Sequence, residues 1–269
     1  MKNKTTEEPP VLTIITVTSN HLDGLQKTYN SIIEQDQTCF PQIIWQVIDN
    51  ASTDGTPQWL RSISADPPFI TNMLSDPDDG LYHGMNKGLK RANGSYILFL
   101  NAGDCLANPK TLSAILKVVQ EHTPDLIYGD TIVYQGAQHH LKPARSPDYI
   151  NYGLLTHHQA IIYRRHILVG LNYDTRYRVA ADYDFTLRVL KRCQSDSIYN
   201  MKRPICLFEG GGLSEQKSTL GRKENYLIRQ RLQQIPGWKN GLIYCANTLS
   251  FLLKKNLPRL YRNLRYFKK

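Results

Sequence analysis

Short apolar runs rich in β-branched residues alternate with segments of helical periodicity through the first half of the chain, and this alternation constrains the fold most. The predicted strands cover residues 11–18, 43–48, 69–74 and 96–100, and predicted helices begin near Leu22, Thr56, Leu81 and Pro109. Strands that alternate with helices are typical of a largely parallel sheet wrapped by helices. With 269 residues, 41% of them hydrophobic, the chain can bury such a core.

Polar residues follow each of these four predicted strands. The strands end in Thr18-Ser19-Asn20, Asp49-Asn50, Ser75-Asp76-Pro77-Asp78 and Asn101-Ala102-Gly103-Asp104. In open α/β sheets, ligands bind beyond the carboxyl ends of the strands. We therefore expect one edge of the sheet, which we call the rim, to gather several carboxylates.

Two segments of the rim contain residues suited to a nucleotide. Asp49 and Asp54 bracket a polar turn, where carboxylates can accept hydrogen bonds from a base N–H or from ribose hydroxyls. Asp78 begins an acidic loop that leads into the next helix. That helix carries an aromatic ring, an amide and a cation at Tyr82, Asn86 and Lys87. The structural alternatives are a turn capped by Asp and an amphipathic helix with Tyr82 in the core.

A second pair of segments contains residues suited to catalysis. Asp104 leaves a buried strand, which suits a hard divalent cation held together with a diphosphate, or an ordinary turn. Asp182 begins a predicted helix as either a general base or an N-cap. His158 precedes an apolar run and could bind metal, bind phosphate or make a structural hydrogen bond.

The second half of the chain is less regular. Predicted strands cover Asp125–Tyr134, Gln159–Tyr163 and Ile205–Phe208, and predicted helices cover Asp182–Lys191 and Ser218–Gln234. The glycines at 210–212 match neither a P-loop nor a dinucleotide-binding fingerprint, and they indicate a turn or a lid.

The excess of positive over negative charge lies at the end of the chain. After Glu224, the last acidic residue, the chain contains only basic charges: Arg229, Arg231, Lys239, Lys254, Lys255, Arg259, Arg262, Arg265, Lys268 and Lys269. Removing these ten from the 33 Lys and Arg leaves 23, which equals the 23 Asp and Glu. A neutral body with a basic end indicates a catalytic domain with an anchoring segment and argues against a nucleic-acid-binding body.

The tail itself has two parts. Residues 241–253 are mostly apolar but too short to span a membrane. Residues 257–269 have an apolar stripe with aromatic residues opposite basic ones, as in an interfacial membrane helix. The alternative is a helical hairpin that packs on the domain or on a second subunit.

The expected location is the cytoplasm, at the membrane surface. Met1–Pro10 is polar, has no secretory signal pattern and is expected to be disordered. Five scattered cysteines without a C-x-x-C pair fit free thiols in a reducing compartment.

The order of these motifs resembles that of family 2 glycosyltransferases. The resemblance is carried by Val11–Val17, Asp49–Thr56, Asp78–Gly88 and Leu100–Asp104, and it covers residues 11–215. Among such enzymes the chain looks most similar to bacterial transferases of exopolysaccharide, colanic-acid-type and O-antigen synthesis. The resemblance implies a GT-A fold, with a mostly parallel sheet flanked by helices, and an inverting single displacement.

The resemblance also implies roles for particular residues. Asp49 and Asp78 would contact the nucleotide of the donor, and Asp54 would support that pocket. Asp104 would hold a divalent metal, Mn²⁺ or Mg²⁺, and Asp182 would be the catalytic base. The complete set of predicted donor-binding residues is Thr18, Asp49, Asp54, Asp78, Tyr82, Asn86 and Lys87.

The chain departs from the family pattern at several of these positions. Asn101 and Gly103 stand where acidic residues often occur, so Asp104 is the one clear carboxylate ligand and His158 is the candidate second ligand. His83-Gly84 stands where Asp-Ala is frequent.

The predicted function is therefore transfer of a hexosyl or N-acetylhexosaminyl group from a nucleotide sugar, a UDP-sugar by analogy, to a saccharide acceptor. The acceptor is expected to be lipid-linked and to serve bacterial surface polysaccharide synthesis. The expected organisation is a disordered segment (1–10), a GT-A catalytic domain (11–215) and a basic helical extension (216–269). The alternatives are a nucleotide-sugar pyrophosphorylase and a non-catalytic module that binds nucleotides or polyanions.

Overall fold

The computed structural model describes residues 10–63, 70–135, 138–210, 217–233 and 235–257. The strands are β1 (Leu12–Thr18), β2 (Ile43–Asp49), β3 (Ile70–Ser75), β4 (Tyr96–Phe99), β5 (Cys105–Leu106), β6 (Leu126–Gln135), β7 (Gln138–Lys142), β8 (Ile161–Arg164) and β9 (Ile198–Glu209). The helices are α1 (Leu22–Ile33), α2 (Thr56–Ile63), α3 (Leu81–Arg91), α4 (Thr111–His122), α5 (Ala181–Leu190), α6 (Ser218–Leu232) and α7 (Gly237–Asn256). Short 3-10 helices occupy several connections, including His158–Ala160 just before β8.

The strands of the described residues form one mixed sheet in the order β3-β2-β1-β4-β8-β6-β9-β5, with β7 paired to β6. β3, β2, β1 and β4 are parallel. β8 then pairs antiparallel with β4 and with β6, while β6 and β9 are parallel. The parallel part corresponds to the strand–helix alternation of the first half of the sequence.

The sheet is covered on both faces, so its central strands are buried along their whole length. All residues of β1, β2 and β4 are buried. Neighbouring residues of β1 face opposite sides: Ile14 packs in a cluster with Leu25 of α1, and Ile15 packs in a second cluster with Met85 of α3. Continuous burial of this kind is the pattern of strands covered by helices on both sides.

The C-terminal helices pack on the domain and on each other. Arg229 of α6 is fully buried, and its Nε donates a hydrogen bond of 2.8 Å to Asn240 Oδ1 of α7. α7 is longer than the apolar segment 241–253, and β9 is longer than the predicted strand Ile205–Phe208. None of the helices in the described ranges is both long and apolar enough to cross a membrane.

Several predictions concern residues outside the described ranges. These are the disorder of residues 1–9, the turn or lid at Gly211 and Gly212, and the amphipathic stripe after Leu257. All five cysteines are free thiols, as predicted.

Candidate active site

The carboxyl ends of the parallel strands lie level with one another. The strand register pairs Thr18 with Asp49, and Asp49 with Ser75. Beyond the strands, Asn50 N–H donates to Thr18 O (3.0 Å) and Asp76 N–H donates to Asp49 O (3.0 Å). The polar residues after these strands therefore share one rim, as the parallel topology predicts.

Asp49 organises the loop after β2. Its side chain is fully buried and accepts hydrogen bonds from the Ser52 N–H (3.1 Å) and from the hydroxyls of Ser52 (2.5 Å) and Ser75 (2.6 Å). Thr18 is beside it in the register, and its buried hydroxyl has no hydrogen-bond partner within the described ranges. Asp49 thus holds the loop in place, and Thr18 offers an unused polar group.

Asp54 joins the starts of two helices. Its carboxylate accepts hydrogen bonds from the Thr56 N–H (3.1 Å) and hydroxyl (2.7 Å) at the start of α2, and from the Leu22 N–H (2.9 Å) at the start of α1. The Thr56 hydroxyl is the largest cause that lowers the pKa of Asp54. These are the contacts of a residue that caps a turn, which is the structural alternative for Asp54. They hold the loop beside the rim in place.

Asp78 has one oxygen engaged and one available. Its Oδ1 accepts a hydrogen bond from the Gly80 N–H (3.0 Å), and its own N–H donates to Asn50 Oδ1 (2.7 Å). Its Oδ2 is buried without a partner in the described part of the chain. A Cβ on Gly84 would lie 2.9 Å from this oxygen and 2.8 Å from Val17 Cγ1, which explains why glycine suits this position.

Asn86 and Lys87 make contacts within the protein. Asn86 forms a two-way clamp with Tyr173: its Nδ2 donates to Tyr173 O (2.9 Å), and its Oδ1 accepts from the Tyr173 N–H (2.7 Å). Lys87 Nζ lies 2.8 Å from Asp76 Oδ2 and donates to Pro77 O (2.6 Å). Both residues hold loops next to the rim, and a direct contact with a donor remains a prediction for each.

Asp182 lies at the start of α5, where it meets groups from two other parts of the fold. Its Oδ1 accepts from the Tyr183 N–H (2.8 Å) and lies 3.4 Å from the Tyr82 hydroxyl, while its Oδ2 lies 3.3 Å from His158 Nδ1. The Tyr82 hydroxyl also donates to Val179 O (2.7 Å), and burial followed by the Asp182 charge raises the pKa of Tyr82. The Asp182 side chain is 17% exposed, so it can reach a ligand while being held in place.

Asp104 is more deeply buried than Asp182. It is 6% exposed, and its Oδ2 accepts a hydrogen bond of 2.7 Å from Gln159 Nε2. Burial raises its pKa to about 7, against the opposing effects of Gln159 and His158. In the described residues it has no ion pair with Lys or Arg.

Two buried acceptors accompany these carboxylates. Asn101 Oδ1 and Gln159 Oε1 have no hydrogen-bond partner within the described ranges. A buried acceptor without a partner carries a desolvation cost of about 1–3 kcal/mol. Both atoms belong to residues that contact Asp104, and ligand hydroxyls or water could satisfy them there.

The site suits a cation shared with a ligand better than one enclosed by protein. No group of three His, Cys, Asp or Glu side chains with metal-binding geometry occurs in the described ranges. His158 has both ring nitrogens engaged, with Nδ1 facing Asp182 and Nε2 lying 3.2 Å from Asn101 Nδ2. A cation at Asp104 would therefore need further oxygen ligands from outside the protein, and phosphates supply such ligands for Mg²⁺.

Comparison with protein families identifies the family to which the chain belongs. The model of "Glycosyl transferase family 2" matches residues 13–192, which include all the rim residues described above. The chain belongs to glycosyl transferase family 2. Membership favours a glycosyltransferase over the alternatives of a pyrophosphorylase or a non-catalytic binding module.

Curated relatives agree with this assignment. The "PGL/p-HBAD biosynthesis glycosyltransferase" of Mycobacterium tuberculosis (strain H37Ra) is 33% identical over 210 residues, covering 76% of this chain and 79% of the relative. The "Glycosyltransferase AglE" of Haloferax volcanii is 26% identical over 123 residues, covering 45% of this chain and 39% of that relative.

Solved structures confirm the predicted GT-A fold. Staphylococcus aureus TarS (residues 1–349), crystallised with UDP, superposes with a TM-score of 0.65 at 18% identity, covering 91% of this chain and 73% of TarS. The mannosyltransferase of Pyrobaculum calidifontis, crystallised with GDP-Man and Mn²⁺, superposes with a TM-score of 0.62 at 17% identity. That match covers 93% of this chain and 73% of the mannosyltransferase.

Structure adds residues that sequence patterns did not single out. Gln159 contacts Asp104, and Glu224 of α6 contacts the loop before Asp182. Tyr134 donates to Gly103 O (3.1 Å) and to Glu209 Oε2 (3.2 Å), which brings the end of β9 next to Asp104. These residues come from distant parts of the chain, and no motif or spacing links them.

Proposed function

We propose that this enzyme transfers a sugar with inversion from a nucleotide sugar, most simply a UDP-sugar, to a saccharide acceptor. The observation that carries the proposal is the pairing of two differently placed carboxylates on one rim. Asp104 is buried and forms no ion pair with Lys or Arg in the described residues, whereas Asp182 contacts Tyr82 and His158 and is partly exposed. This asymmetry suits one leaving-group site and one base.

Asp182 would act on the acceptor. Its carboxylate takes the proton of an acceptor hydroxyl as that oxygen forms a bond to the anomeric carbon. The bond between the anomeric carbon and the donor phosphate breaks in the same displacement, and the nucleoside diphosphate leaves with the bonding electron pair. General-base help of this kind contributes about 10²–10⁴-fold to rate.

Asp104 would act on the leaving group. It is the residue that would hold a divalent cation, Mn²⁺ or Mg²⁺, together with the donor diphosphate. When bound, such a cation stabilises the negative charge that develops on the departing phosphate. Asp104 forms no ion pair with Lys or Arg in the described residues, which supports this role. So does the Mn²⁺ that accompanies GDP-Man in the mannosyltransferase of Pyrobaculum calidifontis and UDP in the glucosyl-3-phosphoglycerate synthase of Mycobacterium tuberculosis.

The other side of the rim would bind the nucleotide. Asp78 Oδ2 and the Thr18 hydroxyl are buried acceptors without partners in the described ranges, so they suit base or ribose groups. Asp49, Asp54, Asn86 and Lys87 would shape this pocket through the loops that they hold. Tyr82 would connect this pocket to the proposed general base, because its hydroxyl contacts Asp182.

We further propose that the acceptor is lipid-linked, with a role in surface polysaccharide synthesis, and that the enzyme binds the inner face of the cytoplasmic membrane. The outer face of α7 supports this. Trp238, Leu242, Leu249 and Leu252 are between 45% and 71% exposed, and Cys245 and Ala246 between them are exposed as well. All charged side chains after Glu224 are basic, so anionic lipids would attract this end of the chain.

A donor screen tests the catalytic proposal. Purified enzyme with Mn²⁺ or Mg²⁺ is given a panel of nucleotide sugars and short lipid-linked saccharides, and released nucleotide is measured. We expect release from one nucleotide class, most simply UDP, that increases with acceptor and requires a divalent cation. Absence of release from every nucleotide sugar would reject the proposal.

A further inference from the structure

The short helix His158–Ala160 sends its first two side chains to two different carboxylates. His158 Nδ1 lies 3.3 Å from Asp182 Oδ2, and Gln159 Nε2 donates a hydrogen bond of 2.7 Å to Asp104 Oδ2. Asp182 begins α5, and Asp104 follows β4, so these carboxylates are far apart in sequence. One pair of consecutive residues therefore links them.

This helix is firmly held by its surroundings. His158 is 9% exposed and Gln159 is 3% exposed. The helix continues directly into β8 at the centre of the sheet, where Ile161 is fully buried, and it packs against β4, β6 and β9. Side chains whose neighbours are locked by packing can hold a functional group to within about 0.5 Å.

The second nitrogen of His158 strengthens the link to Asp104. His158 Nε2 lies 3.2 Å from Asn101 Nδ2, and Asn101 O accepts a hydrogen bond of 3.0 Å from the Asp104 N–H. With the proton on Nδ1, the ring donates toward Asp182 and accepts from the Asn101 amide. This tautomer is assigned from the partners, and it satisfies both contacts at once.

We propose that His158 and Gln159 form a strut that fixes Asp182 relative to Asp104 during sugar transfer. The inference rests on the roles proposed for these carboxylates. Both strut residues act through a carboxylate, so they are positioning residues. An inverting displacement needs the base and the leaving group on opposite sides of the anomeric carbon, and a misplacement of about 1 Å can cost about 10²-fold in rate.

The two halves of the strut have separate effects. His158→Leu is expected to lower kcat about 10–100-fold, the range for lost orienting partners, with little change in the KM of the donor. Gln159→Leu is expected to weaken the Mn²⁺-dependent affinity for UDP about 10-fold, measured by calorimetry without turnover. His158→Asn can place an N–H near the Nδ1 position and is expected to recover most of kcat, whereas His158→Gln places its amide further out and is expected to recover less.

His166 provides a matched control. It follows β8 at the opposite end, and its Nε2 lies 3.6 Å from Asp125 Oδ1 in another His–Asp pair, with a side chain that is 59% exposed. His166→Leu should leave both kcat and UDP affinity unchanged. Thermal unfolding of each variant checks that it folds, and the comparison of His158→Asn with His158→Gln tests the geometry even if His158→Leu is unstable.

The outcomes separate the strut from the function on which it rests. Wild-type kcat in His158→Leu, together with an inactive Asp182→Asn, would overturn the strut and leave the proposed function standing. Equal kcat values in His158→Asn and His158→Gln would also overturn it, as would unchanged UDP affinity in Gln159→Leu. Full activity in Asp182→Asn would instead reject the proposed base.

Discussion

Glu224 of α6 accepts a hydrogen bond of 2.9 Å from the backbone N–H of Ala180, two residues before Asp182. The same carboxylate accepts from the N–H groups of Arg178 (2.9 Å) and Val179 (2.9 Å), and it is 6% exposed. A helix from the C-terminal part of the chain therefore fixes the loop that leads into α5. This contact joins α6, which lies beyond the end of the family match at residue 192, to the part of the fold that carries Asp182.

Replacing Glu224 should destabilise this loop. Glu224→Leu would leave three backbone N–H groups without their partner, and each buried unsatisfied donor costs about 1–3 kcal/mol. We expect the free energy of unfolding in urea to fall by about 3 kcal/mol or more. The neighbouring exposed Lys223→Ala is the control and should change it little. A Glu224→Leu protein as stable as the control would contradict this role.

Asp104 should control the binding of cation and nucleotide together. Asp104→Asn keeps the shape of the side chain but removes the charge, so we expect Mn²⁺ to lose its ability to increase UDP affinity in calorimetry. Asp79→Asn is a control on the acidic loop after β3, because the Asp79 side chain is fully exposed. Unchanged Mn²⁺-dependent UDP affinity in Asp104→Asn would show that the cation is held elsewhere.

The outer face of α7 should bind anionic membranes. Leu242→Ser with Leu249→Ser removes two exposed apolar side chains, each worth about 1.5–3 kcal/mol on full burial. We expect these changes to lower co-sedimentation with phosphatidylglycerol vesicles by at least about 10-fold without changing thermal stability. Leu141→Ser, at an exposed leucine of β7, is the control. Unchanged vesicle binding together with loss of a dimer in sedimentation velocity would assign this face to a second copy instead.

Asp174 should make stability depend on acid pH. Its carboxylate lies between Arg176 and Arg231, and the hydrogen bond from Arg176 is the largest cause that lowers its pKa to about 2. The unfolded pKa is about 3.9, so its stabilising effect is complete above about pH 4 and is lost as pH falls through about 2. The difference in Tm between wild type and Asp174→Asn should therefore shrink as pH falls across this window. A constant difference would contradict the ion pairs, and exposed Asp148→Asn serves as the control.

The parallel half of the fold could be predicted because each of its strands and helices follows from the pattern of a short sequence segment. Continuous apolar runs with helical segments between them define β1 to β4, and parallel topology alone then brings Thr18, Asp49 and Ser75 to one level. The roles of Asp49 and Asp78 in donor binding came from family resemblance, and they stay predictions. The structure adds that Asp49 is enclosed by Ser52 and Ser75, whereas Asp78 keeps a free oxygen within the described ranges.

The part of the rim that carries Asp104 and Asp182 depends on contacts that sequence spacing does not encode. Gln159 reaches Asp104 from 55 residues away, and Glu224 reaches Ala180 from 44 residues away. The sequence leaves three roles open for His158, which are a metal ligand, a phosphate ligand and a structural hydrogen bond. In the fold, the antiparallel β8 brings it against Asp182 and Asn101, which occupy both of its nitrogens. The partners of His158 and Gln159 are therefore set by the assembled sheet and not by the sequence around them.

Asp182→Asn tests the central claim most directly. The asparagine keeps the size of the side chain but cannot take the acceptor proton, so kcat for sugar transfer should fall about 10²–10⁴-fold. UDP-sugar affinity, measured by calorimetry with Mn²⁺, should stay near that of the wild type because Asp104 and the nucleotide side of the rim are unchanged. Transfer at the wild-type rate by a folded Asp182→Asn enzyme would contradict the account.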